Sequence, residues 1–124
     1  MAAYSPGSTR EAVLVFHYAD RMKSELLIAS QLLPAVQGLS ASDRTGGLRV
    51  LLEYFRALDR EVALGQALIS DPEMIRVKTV MTGLLGMVDA GMLGELQGHL
   101  TWIISTMTTY AQRAMEYLIK AEVL

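Results

Sequence analysis

Apolar residues recur at three-then-four intervals along most of this chain. The last segment shows the rhythm best: Leu93, Leu96, Leu100, Ile103, Met107, Tyr110, Ala114, Tyr117 and Ala121 form one unbroken seam, enough for a helix of about eight turns. A first segment repeats it with Val15, Ala19, Met22, Leu26, Ala29, Leu33 and Val36. A second uses Leu48, Leu51, Phe55, Leu58, Val62, Gly65 and Ile69, and a third Met74, Val77, Met81, Leu84 and Val88. Such spacing lets helices lie side by side at a shallow angle, each apolar side chain entering a hole on its neighbour. The pattern predicts an all-α protein: an antiparallel up-down four-helix bundle with left-handed, coiled-coil-like packing.

The breaks in the rhythm place the boundaries. Helices are expected at about 9–37, 43–70, 72–89 and 92–122, after a loose tail at 1–7, in a single domain spanning 1–124. Ser8-Thr9-Arg10-Glu11 reads as a capping box, in which Ser8 and Glu11 satisfy each other's free amides. Pro34 should kink or end the first helix. The stretch Gly38 to Gly47 is rich in turn residues and is expected to be the longest loop. Asp71 and Pro72 suit an N-cap and a first helical position, and Asp89-Ala90-Gly91 reads as the last turn. On the polar faces, Arg56 with Asp59 and Glu116 with Lys120 have the spacing of ion pairs.

Composition adds a surplus of apolar surface. Hydrophobic residues make up 52% of the 124 residues, slightly above the usual share. From Thr79 to Val88 the third helix carries no charge, and Trp102, Ile104, Thr108, Ala111, Met115 and Leu118 flank the seam of the fourth. Both helices are therefore apolar over more than one stripe, as a broad core, a homo-oligomer interface or a groove for a partner would require. Gly83, Gly86, Gly91, Gly94 and Gly98 suggest close backbone approach or frayed ends there. Met74, Met81 and Met107 fall on seams, whereas Met87, Met92 and Met115 fall beside them and suit an adaptable surface.

Other features narrow the function. A net charge of −2 without a basic run argues against nucleic acid, which needs clustered cations. The absence of cysteine excludes disulfides and thiolate chemistry, and no secretory leader is seen at the N-terminus, so a cytoplasmic location is expected. Leu96 to Gln112 is free of charge but too polar and short to span a membrane. Glu95 and His99 lie four apart, with Glu11, Glu25 and Glu53 on other helices. Carboxylate metal sites in bundles need acids projecting from the seam, and these stand beside it, so no metal or cofactor is expected. His17, between Phe16 and Tyr18, reads as a partly buried or interfacial imidazole. No nucleophile elbow, phosphate loop or glycine fingerprint is present, and an enzyme is not expected.

One resemblance bears on function. Asp89 to Thr101, reading DAGMLGELQGHLT, looks like the stretch leading into the last helix of the flagellin-specific export chaperones, which are small acidic four-helix proteins. Ser5-Pro6 ahead of the apolar Val13 to Tyr18 run, and Ala57-Leu58-Asp59-Arg60-Glu61, are shorter echoes. The family's Tyr-rich signature is replaced here by Met81-Thr82-Gly83-Leu84-Leu85-Gly86, and Trp102 stands farther from the C-terminus than the family's Trp. The resemblance implies a chaperone or adaptor that holds a helical segment of a partner along apolar grooves. The alternatives are a self-associating structural homo-oligomer and a bundle that binds a metal or small ligand. Leu84, Met87, Leu96, Trp102, Ile103 and Ile104 are the expected partner or dimer surface.

Overall fold

The computed structural model describes residues 3–124. It contains α1 (Thr9–Gln37), α2 (Ala41–Leu68), α3 (Pro72–Asp89) and α4 (Leu96–Lys120), with no strand among the described residues. Each helix packs on its neighbours in sequence, α4 returns to α1, and among the described residues no diagonal pair of backbones comes close. The four helices therefore form a square bundle. Contact is most extensive between α1 and α4 and least extensive between α3 and α4.

Nearly every seam position is buried, from Val15 to Val36 on α1, Leu51 to Ile69 through α2, Met74 to Val88 on α3 and Leu93 to Ala114 into α4. Among the described residues no charged side chain joins this core, so the drive to associate is the removal of apolar surface from water. Polar side chains at the seam edges set the register between helices. Between α1 and α2, Arg21 meets Glu61 at 2.6 Å, and the Tyr18 and Tyr54 hydroxyls donate to the backbone oxygens of Glu61 and Glu25 at 3.0 and 2.9 Å. Between α2 and α3, Lys78 donates to Asp59 at 3.0 Å, and Thr82 donates to the same carboxylate oxygen.

Several helix ends differ from expectation. Helix α2 begins at Ala41, with Gly46 and Gly47 inside it. Ser40 starts the helix, accepting backbone bonds from Asp43 and Arg44 on its carbonyl, so the first loop shrinks to 38–40. The longest connection is instead 90–95. There Gly91 takes φ +74°, and Met92 and Gly91 return their amides to the carbonyls of Met87 and Val88. This left-handed closure ends α3 and delays α4 to Leu96. Ser8 caps Glu11 as expected, but the Glu11 carboxylate turns back to the amide of Gly7 and not of Ser8.

Pro34 leaves α1 unbroken until Gln37. Proline at this position lacks the amide that would bond the carbonyl of Ser30, and Gln97 of α4 supplies the donor at 2.8 Å. A local defect in one helix is thus repaired by another. On the outer faces, Arg56 pairs with Glu53, leaving Asp59 to Lys78, and Glu116 pairs with Arg113 at 3.6 Å and not with Lys120.

Candidate functional site

Of the expected surface residues, Leu84, Leu96 and Ile103 are core. Leu84 is 1% exposed, and Leu96 and Ile103 are fully buried. They lie on the inward seam positions, which the packing of α3 and α4 into the square consumes, so a partner has no access to them. Met87, Trp102 and Ile104 are half-buried at the seam edges. Ile104 shares a side of α4 with Gln97, which reaches α1, whereas Met87 and Trp102 belong to the side where α3 and α4 meet. Ala111 and Leu118, also counted as surplus in the sequence, are buried.

The seam between α3 and α4 is the least interlocked in the bundle. Among the described residues no hydrogen bond or ion pair runs directly from one of these helices to the other. The Arg76 guanidinium lies over the Trp102 ring at 5.3 Å, a cation–π contact worth about 0.5–1 kcal/mol at an exposed site. Val80, Met87 and Trp102 are half-buried against the core. Gly83 and Gly86 are exposed, and a Cβ on either would meet nothing within 4 Å. These glycines do not mark a close backbone approach. Gly83, one turn from Val80 and Met87 on the α4 side of α3, lowers one wall of the seam's outer edge to a shallow trough, whereas Gly86 follows Thr82 and faces outward, away from it.

A cleft of about 340 Å³ lies where the start of α3 meets α4, lined by Tyr4, Asp71, Glu73, Thr106, Thr109, Tyr110 and Arg113 among others. The Tyr110 hydroxyl donates to the Asp71 carboxylate at 2.5 Å, and that of Tyr4 to Glu11 at 2.7 Å. The two rings meet edge to face at 5.4 Å. Burial first, then hydrogen bonding to the carboxylates, hold both phenols far above their ordinary ionisation range. Residues 3–7 are consequently tied down, with Pro6 buried, where the sequence suggested a loose tail; Met1 and Ala2 lie outside the described residues. The carboxylates are already engaged: Asp71 and Glu11 by the phenols, Glu73 by Arg76 at 2.7 Å. Sequence reasoning missed this cluster. The available signal was Tyr110 on a seam, because a buried phenol must find an acceptor.

The remaining candidates are dispersed. Glu95 and His99 are exposed, and so is His17, which the sequence placed partly inside. No three His, Cys, Asp or Glu side chains cluster as metal ligands among the described residues. None of the helices is long and apolar enough to cross a membrane. Comparison with protein-family models, with curated proteins and with solved structures finds no match.

Proposed function

We propose that the protein acts through protein–protein association, receiving an amphipathic helix of a partner along the trough between α3 and α4. The shallow packing of this seam carries the reading: Val80, Met87 and Trp102 are half-buried beside the open Gly83. A helix laid there inserts side chains at i, i+3, i+4 and i+7 and covers apolar surface the bundle leaves wet. The chaperone-like segment 89–101 leads into this same region, which supports an adaptor or chaperone role. The flexible thioether of Met87 suits a surface that accommodates helices of varied shape.

Trp102 is the sole tryptophan, so its fluorescence reports on the trough without a label. Titration with a synthetic amphipathic peptide bearing leucines at helical spacing should shift Trp102 emission to the blue and saturate. Met87→Glu should abolish the shift while leaving the circular dichroism unchanged. Emission that ignores the peptide, or responds equally in Met87→Glu, would rule out the trough as the docking site.

A further inference from the structure

The opposite side of the bundle carries a second apolar stripe. On α2, Val50 and Leu64 are 72% and 66% exposed. Ala57 stands midway between them at the same position of the seven-residue repeat. One step farther round the helix, Glu53 and Arg60 sit on either side of Ala57, both exposed. Arg60 has no ion pair among the described residues, and Glu53 pairs within its own helix with Arg56. Reversing the direction of the helix about Ala57 exchanges Val50 with Leu64 and brings Glu53 and Arg60 each to within one residue of the other's place. The stripe is thus symmetric in size and complementary in charge under a half-turn.

Such a surface matches itself. An isologous contact requires one patch to fit a copy of itself after a two-fold rotation, and an unrelated partner supplies no reason for that symmetry. We propose that this face binds a second copy of the chain, with the two-fold axis passing close to Ala57 and α2 running antiparallel to its counterpart. Val50 then packs against Leu64 of the partner subunit, and Glu53 faces Arg60 of the partner subunit. Ala57, carrying only a methyl group, lets the helices approach where they cross.

The α1 helix widens the same face. Arg21 bonded to Glu61, Tyr18 to Glu61 and Tyr54 to Glu25 set the antiparallel register. That register puts Leu14 near the Leu64 end and Ile28 near the Val50 end, and both are among the exposed large apolar residues. Isolated apolar side chains on a surface are ordinary, but four in two pairs about a charged middle form a patterned face. The α3–α4 trough lies on the far side of the square, so such a dimer leaves it open, and the inference stands independently of the reading above.

Light scattering over a wide dilution range, on the full chain and its charge variants, tests the arrangement. Glu53→Arg sets like charges opposite each other twice in the dimer, as does Arg60→Glu. Each should weaken association by about tenfold or more, and combining them should restore the wild-type dimer. Because the chain has no cysteine, Ala57→Cys should oxidise to a covalent dimer across the axis, while Ala63→Cys, away from it, should not. All these positions are exposed or half-exposed, and circular dichroism verifies folding. A chain that is monomeric throughout, a dimer indifferent to both charge reversals, or a double variant that fails to recover would each overturn the proposal.

Discussion

The seams α1–α2 and α3–α4 are built from the same apolar rhythm yet differ in how tightly they are held. Between α1 and α2, Tyr18 lies over Gly65 so closely that a Cβ there would stand 2.2 Å from the Tyr18 hydroxyl oxygen. That hydroxyl donates to the Glu61 carbonyl, and Arg21 bridges Glu61 and Glu25 across and along the seam. Between α3 and α4, Gly83 faces open space, and among the described residues the polar links are Arg76 stacked on Trp102 and the Tyr110 hydroxyl on Asp71 at the very start of α3. Glycine thus serves opposite ends in the two places: Gly65 makes room for a locked contact, while Gly83 leaves the seam edge unfilled. Interlocking through side chains that have one geometry stores stability; an unfilled seam leaves apolar surface in contact with water.

Alanine substitutions separate the two seams most sharply. Gly65→Ala forces the buried Tyr18 ring to move, and overpacking of this kind should lower unfolding free energy by about 1–3 kcal/mol, measured by urea titration. If Gly65→Ala proves neutral, the α1–α2 seam is not locked as described. The next effect comes from alkali. Burial first, then the Glu61 charge, push the Tyr18 phenol well above its ordinary range. Its folded ionisation is therefore raised above the unfolded value near 10. Its contribution is fully present below pH 10 and is lost as pH rises beyond that, at about 1.4 kcal/mol per pH unit for each such tyrosine. Stability should fall steeply above pH 10, and Tyr18→Phe should flatten the fall by one tyrosine's share. An unchanged slope would remove Tyr18 as its source. The smallest effect has the opposite sign: Gly83→Ala and Gly86→Ala meet no neighbour, so each should stabilise by up to about 1 kcal/mol through helix propensity. A loss of stability at Gly83 would mean that the trough is filled in solution.

Much of the fold was legible because each helix writes its own apolar stripe. The seam residues of α1 and α3 read from spacing alone are all buried, since periodicity is a property of neighbours in sequence. Where local signals compete, the sequence misleads: Gly46-Gly47 resembles a loop, but helix α2 runs through it because Leu51 and Phe55 dock into the core and hold the segment that follows Ser40. The candidate surface was only half legible. Leu84 and Met87 are three residues apart on one apolar helix; the spacing sets Leu84 on the seam and Met87 beside it, but their shared apolar chemistry puts both among the candidate contacts. The orientation of α3 against its neighbours buries the first and leaves the second at the edge.

By itself the sequence determined four amphipathic helices, their approximate ends, the absence of a basic or cysteine-based chemistry, and a surplus of apolar surface. These follow from local periodicity, capping and composition. Only the tertiary structure decided that Gln97 satisfies the carbonyl freed by Pro34, that Tyr4 and Tyr110 secure the N-terminal segment, that Asp59 pairs with Lys78, and that α3 and α4 meet loosely. Each joins residues far apart in the chain, and such pairings depend on the register and rotation of whole helices, which emerge when all four stripes are buried at once.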